Sequence, residues 1–432
     1  MAGGALAGEA GRPVGDRRWQ HRYSVVGLMF AGTSLCYLDR ISISVAIIPL
    51  AAQFHYDAAW QGIVLSAFFW GYLLPQLAGG WVADRYGGHR VLAAGVGVWS
   101  MATLMTPIAA ASSLSALVAA RVVLGIGEGV NFPSIHSIAS RWTMPSERAR
   151  ALSLVFSGMH FGTIIALIVS PIIIVNFGWS ALFYFSGALG GLWLTFWFLY
   201  ASSGPEESSR IGEIEREQIL AARTAAPRAG AIPWRAIARE RAMWAIIIAH
   251  FCTNVGFNIL LLWMPTYLHH TFAVPLKWVG SYALIPWIAT FAMANCGGWF
   301  ADRMLARGIS VTAVRKIMQS ACFIPGGLAL FILPMAHSPA MAVLILCFAA
   351  AATGMSFSAV GVNHLDVGPS YAGILMGVSN TFATIPGIVG VAAAGFIVRA
   401  TGSFTAVFYM IAIVYAVGLV AYLAWASGEQ RL

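Results

Sequence analysis

Residues 79–85 read GGWVADR and residues 297–303 read GGWFADR. The two stretches differ at one position in seven and lie 218 residues apart in a chain of 432. A charged Asp-Arg step at the same place in each half predicts a duplicated fold. Its surroundings are apolar: hydrophobic residues make up 59% of the chain and charged residues 9%. A soluble domain carries about 25% charged residues. No soluble core could hide this much apolar surface, so the chain is expected to cross a bilayer many times.

Apolar stretches long enough to span hydrocarbon are expected at 24–51, 59–82, 91–111, 114–140, 149–174 and 180–200. A second set is expected at 243–268, 279–301, 314–335, 339–362, 371–397 and 403–426. The fold class is therefore an all-α membrane protein of twelve helices in two six-helix bundles related by pseudo-symmetry. Its expected parts are a cytosolic tail (1–22), bundles at 23–201 and 242–427, a cytosolic linker (202–241) and a short tail (428–432). Within the linker, SRIGEIEREQIL predicts an amphipathic helix.

Of the 25 Lys and Arg, 21 fall on one set of loops and only Lys277 and Arg399 on the other. That bias places both termini and the linker in the cytoplasm. It accounts for the net charge of +9 without a nucleic-acid partner. The five cysteines lie in apolar segments with no CxxC spacing, so neither a disulfide framework nor a metal site is expected. No nucleophile–base pair or phosphate loop argues for an enzyme. No cleavable signal peptide is expected in residues 1–22.

Parallel repeats with a midplane site between the halves are a transporter architecture. In the repeated motif, Asp84, Arg85, Asp302 and Arg303 are expected to latch the halves together on the cytoplasmic side. The competing reading is orientation signal plus helix packing. Four charges fall deep within spans: Asp39, Arg40, Arg121 and Glu128. Each costs about 2.5–3.5 kcal/mol at a helix centre on insertion scales. Arg40 and Arg121 offer planar forks for an anion; Asp39 and Glu128 are candidates to carry protons. The alternative is that two ion pairs lock the first and fourth helices together. The seventh and tenth spans carry no charge, so the C-terminal half is expected to supply neutral contacts from Asn254, Asn258, Ser358 and Asn380. His136, eight residues after Glu128, is a candidate to tune or relay the proton.

GGWVADRYGGHR resembles the signature of the major facilitator superfamily. CYLDRISISVAIIPL (36–50), RVVLGIGEGVNFPSIHSIASRWTMPSERAR (121–150) and VNHLDVGPSYAGILMGVSNTFATIPGIVGV (362–391) resemble its anion:cation symporter family. The resemblance implies proton-coupled symport of a small organic anion such as a sugar acid or sialic acid, by a protein working as a monomer without a cofactor. Sodium-coupled phosphate transport and anion uniport are the alternatives, and a transporter-like sensor is a further one. Leu65 and Thr253 depart from the His and Arg of vesicular glutamate transporters, which argues against glutamate. The very short first external loop, about 52–58, leads us to expect a bacterial inner membrane.

Overall fold

The structure is a computed structural model that describes residues 20–222 and 232–432, leaving aside the side chains at 77, 78, 80, 84 and 149. Most of the expected tail, part of the linker and the Asp84 side chain therefore lie outside the described residues. The N-terminal half runs through α1 (His21–Phe54), α2 (Ala58–Tyr86), α3 (Gly88–Ser112), α4 (Leu114–Gly129), α5 (Asn131–Trp142), α6 (Pro145–Phe177) and α7 (Trp179–Tyr200). The linker holds α8 (Glu213–Ala222) and α9 (Trp234–Arg239). The C-terminal half follows with α10 (Arg241–Phe272), α11 (Leu276–Ala306), α12 (Val311–Ile332), α13 (Pro339–Met355), α14 (Val360–Val367), α15 (Ala372–Thr401) and α16 (Thr405–Trp425).

With α4–α5 and α13–α14 each counted as one crossing, eleven described segments are long and apolar enough to span a membrane, and the 29-residue α2 completes twelve. Short polar turns supply the helix caps. Asp57 accepts from Trp60 N at the start of α2, Ser113 from Ala116 N at α4, and Ser338 from Met341 N at α13. Each satisfies an amide that the helix start would otherwise leave open.

The fourth crossing of each half is interrupted. Pro133 lacks the N–H that would bond to the Gly129 carbonyl, so α4 stops at Gly129 and α5 restarts at Asn131. In the second half, a 3-10 turn at Ser356–Ser358 separates α13 from α14. The repeated motif lies against these interruptions. A Cβ on Gly79 would sit 3.2 Å from Pro133; one on Gly297 would sit 3.1 Å from Met355 Sδ and 3.4 Å from Ser358 Oγ. The small residues of the repeat thus let the second helix of each half approach the broken fourth.

The halves meet along α2 against α15, α6 against α11 and α1 against α10. On the face opposite the termini, Asp57 pairs with Arg399 at 3.3 Å, and Gly62 packs on Ala392 and Gly395. Gly280 packs on Leu167 and Pro171. Deeper in, His160 meets the Phe291 ring at 5.3 Å and Thr384 donates to Gln76 at 3.2 Å. Among the described residues, no hydrogen bond or ion pair joins the halves closer to the terminal face than Gln76–Thr384. The seam is closed at the far face.

One expectation is corrected. The tenth crossing continues as helix to Val367, so it carries Asp366, and that carboxylate takes a bidentate grip from buried Arg315 at 2.7 and 3.2 Å. The C-terminal half is therefore not free of buried charge. Residues 427–432 are also tied down: Ser427 O accepts from Asn363, and the Arg431 and Leu432 amides both donate to Val367 O.

Candidate functional site

Glycines set the site by bringing backbones together. Added Cβ atoms on Gly71 and Gly125 would strike the Val122 and Phe68 carbonyls, so α2 and α4 run in backbone contact. Gly127 stands against Trp99 N of α3, where a Cβ would lie 2.7 Å away. This contact brings Phe68 and Tyr72 of α2 beside the charges of α1 and α4.

Arg40 donates from Nε and Nη2 to Glu128 Oε2 at 3.0 and 2.9 Å. The Cys36 thiol donates to the same oxygen at 3.2 Å. The Arg40 guanidinium also lies 4.5, 4.6 and 4.6 Å from the ring centres of Tyr37, Phe68 and Tyr72. Such cation–π contacts are each worth up to about 2 kcal/mol when desolvated. Glu128 is fully buried and its Oε1 has no hydrogen-bond partner.

Arg121 differs. It is 1% exposed, and its Nε and Nη1 have no hydrogen-bond partner. Its guanidinium lies 5.8 Å from the far side of the cage, the Phe68 ring. Seven residues separate it from Glu128, roughly 10 Å along the helix, and no direct pair forms between them. Asp39 is 2% exposed; about 100° around α1 from Arg40, it lies toward Ser186 of α7. Asp39 Oδ1 and Ser186 Oγ both lack a partner by strict hydrogen-bond geometry. Of the two ion pairs weighed from sequence, one forms.

The remaining candidates scatter. Asn254 donates to the His250 carbonyl one turn earlier, and Asn258 is buried on the same helix. The Asn380 carbonyl accepts from Thr384 within α15. Ser358 lies away from the charged cluster, in the turn before α14, its carbonyl accepting from Arg315. His136 is exposed on α5 with its ring 5.5 Å from Phe156. Arg85 lies over Trp81 and Tyr86, and Arg303 over Trp299. Among the described residues, Arg85, Asp302 and Arg303 make no ion pair across the halves.

Sequence reasoning passed over the cage and the thiol. Cys36 and Tyr37 stand four and three residues before Arg40, hence on its helix face. A second polar cluster was also passed over: Thr253, Gln319 and Ser356 form a buried ring of hydrogen bonds at 3.3, 3.0 and 3.4 Å.

Residues 29–391 match the Major Facilitator Superfamily. The chain is 42% identical over 96% of its length to a probable anion transporter 4, chloroplastic, of Oryza sativa subsp. japonica, covering 70% of that protein. It is 41% identical over 96% of its length to an ascorbate transporter, chloroplastic, of Arabidopsis thaliana, covering 77%. A sodium-dependent phosphate transport protein 1, chloroplastic, of the same plant matches at 42% over 95% of the chain and 80% of that protein.

Among solved structures, an inward-facing bacterial homologue of the lysosomal transporter Spinster superposes with a TM-score of 0.75 at 18% identity. That match covers 96% of this chain and 97% of that one. A D-xylose-proton symporter also gives 0.75, at 13% identity over 95% and 100% of the two chains. The chain belongs to the major facilitator superfamily. It is thus an integral, multi-pass membrane transporter and not an enzyme. The relatives named are plastid proteins and give no support to the bacterial inner membrane expected from the short external loop.

Proposed function

We propose that this protein carries a small organic anion across its membrane together with a proton, as a monomer, by alternating access between the two bundles. The observation that carries this reading is Arg121: a buried guanidinium with two nitrogens unpartnered, two turns along the helix from a carboxylate already committed to Arg40. Buried guanidinium N–H groups without acceptors are costly, and an anion with two oxygens matches the geometry of the fork. The names of the relatives, which include anion, ascorbate and phosphate transporters, support an anionic substrate. The aromatic faces of Tyr37, Phe68 and Tyr72 favour a substrate with a carbon skeleton over a bare oxyanion.

Coupling follows from competition. In this state the Glu128 carboxylate neutralises Arg40. An anion that draws either guanidinium toward itself removes the charge that keeps Glu128 ionised, and a proton then replaces it. Asp39, without a formal counter-charge in contact, is the second carboxyl available to a proton. Asn254, Asn258 and Asn380 are assigned neutral contacts from the C-terminal half. Asp84, Arg85, Asp302 and Arg303 are assigned the closure of the terminal face.

A second reading, sodium-coupled phosphate transport, draws on the relative bearing that name. Purified protein in liposomes separates the two. Labelled ascorbate and labelled phosphate are offered with sodium replaced by choline, then with the pH gradient collapsed by a protonophore. The proposal expects ascorbate entry that survives sodium removal and is lost with the gradient. Phosphate entry that stops without sodium would replace it with the second reading.

A further inference from the structure

Two histidines that the account above does not use meet in the C-terminal bundle. His250 Nδ1 lies 3.2 Å from Ser379 Oγ, and His364 Nε2 lies 2.7 Å from the same oxygen. The three residues come from α10, α15 and α14. Their ring centres are 6.5 Å apart. His364 and Ser379 are buried at 2% and 0% exposure, while His250 is half-buried.

The side on which His250 opens can be read from α10. Half-buried His250, Asn254 and Phe257 are spaced four and three apart and form one stripe. Exposed Trp244 and half-buried Ile248 and Phe251 form another, about 120° away at 100° per residue. The second stripe is wholly apolar and suits lipid. The first carries the polar groups and suits the cleft between the bundles.

We propose that His250, Ser379 and His364 form a proton relay, with His250 exchanging protons with the cleft and His364 storing one inside the bundle. In the neutral cluster, His250 Nδ1–H donates to Ser379, whose hydroxyl donates to His364 Nε2. His364 keeps its own proton on Nδ1, a buried nitrogen with no hydrogen-bond partner. A proton arriving on His250 Nε2 makes that ring a cation. The Nδ1 proton then passes to Ser379 as the hydroxyl proton passes to His364. The positive charge moves from one ring to the other, and the hydroxyl is regenerated. The hydroxyl also reaches the Met376 carbonyl at 3.1 Å, its resting acceptor when it is not bridging the rings.

Two imidazolium charges at this separation would repel each other, so the cluster takes at most one added proton. No carboxylate competes for it. Asp366 of α14 is held by Arg315 of α12 at 2.7 Å, and Tyr422 of α16 donates to Asn363. From α1 across the seam, Arg40 is engaged by Glu128 and Arg22 by Glu147. Among the described residues, the titratable side chain found against His250 is His364, with ring centres 6.5 Å apart. The relay would give the C-terminal half a proton site to set against the one proposed on α4. That use in transport rests on the proton-coupled reading; the relay itself does not.

The test is imidazole nitrogen NMR of 15N-histidine protein in lipid nanodiscs, titrated with acid. His250→Gln and His364→Gln assign the signals, and exposed His55 serves as the internal reference. The relay predicts that the pair gains a single proton, its two rings moving together. Ser379→Ala should separate the two titrations, and Ser379→Thr, which keeps the hydroxyl, should rejoin them. Two full and independent titrations, or no response to Ser379→Ala, would overturn the proposal. In liposomes, His364→Gln should lower ascorbate-driven proton entry about fivefold or more and leave ascorbate counterflow unchanged. A relay intact by NMR with proton entry unchanged in His364→Gln would confine the cluster to structure and remove its role in coupling.

Discussion

Arg40 gives two hydrogen bonds to one oxygen of Glu128 and leaves the other, Oε1, buried without a partner. The pair is neutral, closed on one side and open to chemistry on the other. Arg121 on the same helix has no such partner. One guanidinium is therefore held by the protein, and the other is left for a ligand.

The Arg40–Glu128 pair should behave as a unit. Arg40→Met alone strands a buried carboxylate and is expected to destabilise the protein by about 3–5 kcal/mol. Adding Glu128→Leu should recover most of that loss, because replacing both members with apolar groups removes the stranded charge. Thermal unfolding of the purified variants measures both effects. Equal and additive losses would show that the two side chains are not coupled.

Arg121 should show the reverse relation between stability and activity. Arg121→Gln removes an unsatisfied buried charge, and without anion it is expected to stabilise the protein by about 1–3 kcal/mol while abolishing uptake. Arg121→Lys keeps the charge but not the fork, so anion affinity should fall by roughly tenfold or more, about 1.4 kcal/mol. Unfolding curves with and without ascorbate, alongside uptake, distinguish these outcomes. A destabilised Arg121→Gln would mean that the guanidinium is structurally satisfied.

At the far face, the seam should respond to bulk more than to charge. Asp57–Arg399 is exposed, with side chains at 40% and 57%. Arg399→Gln should therefore change stability by less than about 1 kcal/mol. Gly395→Leu, which would drive a side chain into Ala58 and Gly62 of α2, should pry that face open. Labelling of a cysteine introduced at Thr384, facing Gln76 across the seam, should rise from the far side in Gly395→Leu and stay unchanged in Arg399→Gln.

The Arg315–Asp366 grip should be structural. Arg315→Ala leaves a carboxylate with only Asn363 as partner and also releases the Ser358 carbonyl. A loss of about 3–5 kcal/mol is expected, with no change in the ratio of protons to anions carried. A changed ratio would place this pair in the coupling path.

The repeat, the twelve crossings and the four charges of the N-terminal half were legible because each breaks a strong pattern. A duplicated motif, an apolar run and a charge within it stand out in one dimension. The aromatic cage was not legible in that way. Phe68 and Tyr72 read as ordinary span residues, and only the Gly71–Gly125 contact between α2 and α4 turns them toward Arg40.

Asp366 and His364 were missed for a different reason. The apolar run that marks the tenth span ends at 362, so the polar residues beyond it, up to the helix end at Val367, read as loop. The GGW motif was read as an orientation signal or latch. Its glycines also face the interrupted fourth crossing of their own half, a relation that needs three dimensions to see.

The central claim is that anion entry and proton entry meet at Glu128. The direct measurement uses liposomes holding a trapped pH dye, to which ascorbate is added outside, with Glu128→Gln compared against the unaltered protein. Lumenal acidification by the unaltered protein, abolished in Glu128→Gln while labelled ascorbate still exchanges across the membrane, is the predicted result. Acidification that persists in Glu128→Gln, or ascorbate entry by the unaltered protein with no acidification, would contradict it.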